Sequence, residues 1–347
     1  MAVLAEAAVF ILAAMAADSP ALSIEALAGA FAAYAAEQRF ERAPETLYAP
    51  VRYAMGVAGK HVRPMLLLQS HALSGRAPKE ALPAAYAVEL FHNFTLVHDD
   101  IMDAADTRRG RPSVHVKYGE ATAILSGDVM LIDSYGYLLN HYDAPLAARL
   151  ARSFGAMATE LCGGQQRDMD MEAGAGGAYD YDAYLEMIGG KTGVLLTTCL
   201  ELGAIIAELP EATVAALHEA GTAAGRAFQI MDDVLDTFST GAVTGKMDHG
   251  DVQRGKQSAP FLRALALASE AQRERLVEIY AMTPAQRLPL VPEVLAALRE
   301  LGVEQALRLE IDALTATATE ALEKVEGAPA ARAMLKESVR RLAAREF

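Results

Sequence analysis

The chain has 347 residues, 52% of them hydrophobic and 22% charged, with a formal net charge of −14. That apolar share is ample for a large core and too high for a disordered chain. So acidic a balance argues against nucleic acid, whose phosphates need a basic face. Cys162 and Cys199 are too few for a disulfide framework, which points to a reducing cytoplasm with both thiols acting as small buried apolar residues. The apolar stretch Met1 to Ala17 lacks a basic flank and contains Glu6, so a leading helix is expected there in place of a signal peptide. No later stretch approaches the roughly 18 uninterrupted apolar residues of a membrane span.

The chain reads as helical nearly throughout. Between Leu146 and Leu161 the large apolar residues Leu146, Leu150, Phe154, Met157 and Leu161 step as one helix face. Alanine, the best helix former, is abundant, and strict apolar–polar alternation is hard to find. Punctuation falls at Pro44 to Pro50, Gly75 to Pro83, Gly110 to Pro112, Gly174 to Gly177, Gly241 to Gly245 and Pro284 to Pro292. With no repeat and no long linker, one all-helical domain over residues 1–347 is expected.

The segment Phe91 to Asp103 ends an apolar helical run with Asp99, Asp100 and Asp103. Residues i and i+4 share a helix face, roughly 5–6 Å apart at Cβ, so Asp99 and Asp103 project together. Asp100 points about 100° away. Two such carboxylates repel unless a cation lies between them, and paired oxygens suit hard Mg²⁺, which shares its shell with water and phosphates. The pattern recurs at Asp232, Asp233 and Asp236. One cluster alone could be a solvated helix end; two of identical spacing in apolar surroundings make that reading poor.

Cations follow each cluster: Arg108 and Arg109 after the first, Lys246 and Lys256 after the second. Singly, each could be surface charge balance. Together with carboxylates and neighbouring glycines they describe a diphosphate site.

At this point the chain resembles the trans-polyprenyl diphosphate synthases, from about Gly59 to Lys256. Gly59-Lys-His-Val-Arg-Pro64, His92, Asp99 to Gly110, Gly164-Gln-Gln-Arg-Asp168, Lys191-Thr192, Phe228 to Asp236 and the Lys246/Lys256 pair match that family's elements in order. The resemblance implies an all-α antiparallel bundle around a deep cavity, usually a homodimer. It implies Mg²⁺ on Asp99, Asp103 and Asp232, with Asp236 in the same set but acting more through water. Asp100 and Asp233 would act through water or hydrogen bonds. Arg108, Lys191, Thr192, Gln229, Lys246 and Lys256 would bind the allylic diphosphate. Lys60, Arg63, His92 and Arg109 would bind isopentenyl diphosphate. His92 could otherwise be a core histidine, Gln229 a surface amide and Lys191 a helix cap. Two departures stand out: Asp248-His249-Gly250 replaces an expected small or hydroxyl residue, and the tail Ala344 to Phe347 carries no assigned role.

The implied chemistry is ionisation, condensation and elimination, with fixed cations stabilising the leaving diphosphate. Product length follows from the wall below the first cluster, where Phe94 and Thr95 lie five and four positions before Asp99 and Phe91 a turn further down. A bulky Phe94 implies farnesyl to geranylgeranyl products, the latter favoured. The alternatives are a longer-chain synthase, a subunit of a heteromeric synthase and a terpene cyclase. The last lacks a counterpart for the second aspartate cluster.

Overall fold

The computed structural model describes residues 23–56, 59–173, 180–239 and 249–345. They fall into two compact units. The first takes the described residues up to Ala148, with Leu202–Leu209 and Gly327–Met334; the second takes Arg149–Glu201, Pro210–Glu326 and the described residues from Leu335.

In the first unit, α1 (Ile24–Glu37) starts where the Ser23 side chain accepts from the Ala26 N–H at 3.1 Å. It is followed by α2 (Glu45–Met55), α3 (Val62–His71), α4 (Leu82–Met102), α5 (Val114–Tyr118) and α6 (Glu120–Asn140). Helix α4 is the core helix: Ala84, Ala85, Val88, Leu90 and Phe91 are all buried, leaving little of its circumference to solvent. It packs along α6, where a Cβ on Gly127 would lie 2.2 Å from the His98 ring. Past α4, the region around Gly110 to Pro112 is more than helix punctuation. Thr107–Arg108 (β1) pairs antiparallel with Arg111–Pro112 (β2). The two turn residues, Arg109 (φ 51°) and Gly110 (φ 74°), both have the positive φ that a tight hairpin turn requires.

The second unit contains most of α7 (Ala144–Glu172), then α8 (Tyr181–Ile188), a π-helical turn (Gly189–Gly193), α9 (Val194–Ile206) as far as Glu201, and α10 (Glu211–Phe238). Beyond these come α11 (Gly250–Arg254), α12 (Ala259–Leu267), α13 (Glu270–Tyr280), α14 (Pro284–Arg287), α15 (Val291–Glu300), α16 (Val303–Glu323) and, from Leu335 on, α17 (Pro329–Ala344). Its core joins Tyr184, Ile188, Ile230, Val234, Phe261, Leu298 and Leu307. The stretch Tyr181–Ile206 has the length and hydropathy of a membrane span, but 72% of that window is buried, as in a core helix.

Missing side chains set the spacing around the π-turn. A Cβ on Gly164 would fall 2.2 Å from the Lys191 nitrogen, and one on Gly225 would fall 2.6 Å from the Gly193 Cα. Helices α7 and α10 therefore meet the π-turn backbone to backbone. Gly225→Ala should destabilise the protein by about 1–3 kcal/mol, because the clash is with main chain that cannot swing aside. Exposed Gly29, with nothing within 4 Å of its added Cβ, is the control. Gly29→Ala should stabilise by about 0.5–1 kcal/mol. Chemical denaturation of both variants checks the pair.

Candidate active site

Asp99 and Asp103 occupy the last turn of α4, where the Asp103 N–H donates to the Asp99 carbonyl at 2.8 Å. Asp99 is half-buried and Asp103 exposed, one turn apart as their spacing requires. Asp100 turns inward, 2% exposed, and takes the Arg108 guanidinium, whose Nε donates at 2.9 Å. Arg108 is thereby oriented by a buried carboxylate, with the rest of its side chain partly open to solvent.

Isopentenyl diphosphate was expected at Lys60, Arg63, His92 and Arg109; the first unit brings Arg63 and Arg109 to His92, while Lys60 is exposed. An Arg63 Nη lies 3.1 Å from the His92 Nε2. A Cβ on Gly59 would sit 3.0 Å from an Arg109 Nη, so the glycine leaves room for that guanidinium. Burial first, then Arg63, Arg109, Arg108 and His61, hold His92 well below the usual imidazole range, leaving it neutral. Burial is the larger cause, but the three arginines add a positive local potential that, in a protein of net charge −14, is suited to an anion. Two residues that the sequence did not flag complete the arrangement. Buried Glu89 meets His61 Nδ1 at 3.1 Å and accepts from Asn93 at 3.2 Å. Nothing in their local pattern separates them from ordinary helix positions.

In the second unit the carboxylates of α10 divide. Asp232 is half-buried and is met by the Arg345 guanidinium, which also lies 4.6 Å from the Phe228 ring centroid. The tail residue thus has a contact that sequence reasoning did not assign. Asp233 is buried, accepting from Tyr184 Oη at 2.7 Å, the Ala259 N–H at 3.0 Å and Gln229 Nε2 at 3.0 Å. Burial, then the nearby charge of Asp251, raises its pKa. Asp236 is buried and accepts the Asp251 N–H at 2.6 Å. His249 opens α11 in a left-handed conformation (φ 56°), its ring 2.7 Å from the Thr237 carbonyl, which accommodates the unexpected residue in that loop.

Lys191 leaves the π-turn and pairs with Asp168, while Lys256 reaches the same carboxylate at 3.5 Å. Burial alone would raise the Asp168 pKa, but Lys256 and Lys191 outweigh it and lower it. Asp168, quoted above only as a motif residue, therefore holds two cations side by side. Thr192 Oγ1 donates to Gln229 Oε1 at 3.0 Å, joining the π-turn to Asp233 through one amide. Lys246 lies outside the described residues, as do Gly174 to Gly177, Gly241 to Gly245 and Met1 to Ala17.

Of the residues expected to set chain length, Phe91 and Phe94 sit in a ring ladder along α4. Phe91 and Phe94 are 5.3 Å apart between centroids, and Phe94 and His98 are 4.8 Å apart, both edge to face. Thr95 turns its hydroxyl back to the His92 carbonyl. No three metal-ligating side chains converge among the described residues. Carboxylates one helical turn apart fit a hard divalent ion that retains water and shares substrate oxygens.

The polyprenyl synthetase family profile matches residues 44–298. The chain is 40% identical over 224 residues to a geranylgeranyl diphosphate synthase of Methanosarcina mazei, covering 64% of this chain and 68% of that protein. A crystal structure of a geranylgeranyl pyrophosphate synthase superposes with a TM-score of 0.87 at 34% identity, covering 94% of this chain and all of that one. The Corynebacterium glutamicum geranylgeranyl pyrophosphate synthase, crystallised with isoprenyl diphosphate and magnesium, gives a TM-score of 0.80 at 25% identity, covering 93% and 98%.

The neutral state of His92 has a measurable consequence. An unfolded chain binds a proton at this imidazole near pH 6.5, whereas the folded protein does so only in stronger acid. The unfolded state then carries more protons below that pH, so stability falls as pH drops through about 6.5. His92→Gln should flatten this loss by up to ~1.4 kcal/mol per pH unit. Urea unfolding between pH 7.5 and 5.5 reads the difference, and identical slopes in the two proteins would show that His92 titrates normally.

Proposed function

The chain belongs to the polyprenyl synthetase family, and on that premise we propose that it condenses isopentenyl diphosphate head to tail with allylic diphosphates to give a short-chain trans-polyprenyl diphosphate. Geranylgeranyl diphosphate is the favoured product and farnesyl diphosphate the nearest alternative. The observation that carries this reading is that each helical aspartate cluster meets a held cation in a protein that is otherwise strongly acidic: Asp100 holds Arg108, and Asp233 feels the charge of Lys256, which Asp168 holds. Residues 1–347 act as one catalytic domain in this reading.

Asp99, Asp103 and Asp232 are assigned as direct Mg²⁺ ligands. Asp236, one oxygen already engaged by the Asp251 N–H, works through water. Bound there, Mg²⁺ would neutralise the allylic diphosphate and ease charge onto the leaving group. Lys191, Lys256, Lys246 and Arg108, with Thr192 and Gln229, grip that diphosphate. As its carbon–oxygen bond breaks, the bonding pair leaves with it, and cations already fixed by Asp168 and Asp100 meet the growing charge without rearranging. Lys60, Arg63, His92 and Arg109 hold isopentenyl diphosphate so that its double bond attacks the allylic carbon. The departing diphosphate takes the proton released when the new double bond forms.

Residues Leu125, Ile132 and Leu139 repeat at a seven-residue spacing along α6, 58%, 67% and 52% exposed. That stripe supports assembly with a second copy. Cys199 is buried as expected whereas Cys162 is exposed, and both free thiols support a cytoplasmic location.

Two experiments test this reading. Asp99→Ala and Asp232→Ala should each lower turnover by orders of magnitude while the helical circular dichroism stays intact, and chelation of divalent ions should abolish wild-type turnover. Near-wild-type rates in either variant would remove the metal assignment. Phe94→Ala should lengthen the products, because it removes the middle ring of the ladder from Phe91 to His98. Losing a packed ring costs about 3–5 kcal/mol, so a melting curve should accompany chromatography of the dephosphorylated products. An unchanged product spectrum from a folded, active variant would move the wall to Phe91 or to Met157 and Leu161.

A further inference from the structure

Arg287 closes α14 and is only 3% exposed. Every hydrogen-bond acceptor its guanidinium meets among the described residues is a backbone carbonyl. Its Nε donates to Ile279 at 3.1 Å, one Nη to Gln253 at 2.8 Å, and the other to Tyr280 at 2.7 Å and to Met282. Ile279, Tyr280 and Met282 surround the C-terminus of α13, and Gln253 lies in the last turn of α11. One buried cation thus ties two helix C-termini, where carbonyls lack intrahelical partners and favour positive charge.

The residues after Gln253 make that tie consequential. Gly255 turns the chain at φ 76°, and a Cβ there would lie 2.4 Å from the Arg287 Cζ, so the guanidinium packs against the bare glycine. The next residue is Lys256. Its N–H is fixed to the Asp251 carbonyl at 2.9 Å, and its side chain crosses to Asp168. Helix α11 has five residues, and its last turn closes through the Gly255 N–H, shared between the Asp251 and Val252 carbonyls. Asp236 pins its first turn through Asp251, Asp233 pins the chain downstream at Ala259, and Gln257 Nε2 donates to the Met171 carbonyl at 3.1 Å. Between those anchors, Arg287 ties the turn that delivers the lysine to the end of α13.

We propose that Arg287 is a positioning residue for allylic diphosphate binding, holding the Gln253–Gly255 turn so that Lys256 stands beside Asp168. The proposal rests on the reading of Lys256 as an allylic diphosphate ligand. Arg287 itself touches no substrate.

The test is a kinetic double-mutant cycle with Arg287→Lys, Lys256→Ala and the double variant, plus Arg287→Ala wherever it folds, each assayed below its own melting temperature. Arg287→Lys keeps a cation and some donors but cannot span four carbonyls. It should raise the KM for the allylic substrate about tenfold, as for a weakened charge-assisted contact, and leave the KM for isopentenyl diphosphate within about twofold. In the Lys256→Ala background the same substitution should add nothing further, because the group it positions is gone. Parallel rises in both KM values, or additive effects in the cycle, would reduce Arg287 to a stability role. An unchanged allylic KM in Arg287→Lys, beside a raised one in Lys256→Ala, would overturn the proposal and leave the site reading standing. An unchanged allylic KM in Lys256→Ala would remove that ligand assignment and the proposal with it.

Discussion

Asp233 is a carboxylate in the core of the second unit, and a buried charge is tolerable only when its neighbours meet it with hydrogen bonds and compensating charge. Tyr184 from α8, the Ala259 N–H at the start of α12 and Gln229 from its own helix all converge on it. Through those contacts one side chain ties α8 to α10, α10 to the chain leading into α12, and, by way of Gln229, α10 to Thr192 on the π-turn. Asp236, a turn further on, holds Asp251. The aspartate cluster of α10 therefore faces two ways. Asp232 remains on the accessible side, and its two companions fasten the segments that present Lys256 and Thr192. A substitution at Asp233 would be felt at Gln229, at Thr192 and at the start of α12.

The helical class, the two clusters and the cations following them were legible because their signals are local. A 3.6-residue period sets which side chains share a face, and that relation survives folding in Asp99 and Asp103. Asp100 was read as pointing away from its neighbours, and its burial against Arg108 agrees. The hairpin at Thr107 to Pro112 was not legible, since two residues on each side are too few for an alternating pattern. Asp168 stood in a motif without a role, because its partners Lys191 and Lys256 lie at positions no spacing rule connects. Glu89 and Asn93 do stand four residues apart, but such a pair is ordinary on a helix, and the His61 contact that singles out Glu89 is 28 residues away. Arg345 gave no signal either, since its contact with Asp232 spans more than a hundred residues.

The electrostatics also explain how an acidic protein can serve anionic substrates. The surplus of carboxylates is not removed near the site; individual carboxylates are buried there and used to hold cations in place. Asp100 holds Arg108, Asp168 holds two lysines, and Glu89 orients His61 beside His92. Side-chain entropy is given up during folding instead of at the moment of binding, which is the condition for fixed charges to favour a transition state over a ground state.

The guanidinium resting on Asp232 has a consequence for how that carboxylate responds to its surroundings. A cation that took the oxygen Arg345 now holds would have to displace the arginine, and its affinity would then be the intrinsic affinity scaled by the fraction of molecules in which the arginine has swung away. The pair is partly open to solvent, so added salt screens it and enlarges that fraction. Monovalent salt thus acts in two opposing directions at Asp232, weakening the attraction of the carboxylate for a divalent ion while loosening the arginine that competes with it. Occupancy of this position is accordingly a property of the ionic medium as much as of the ligand set.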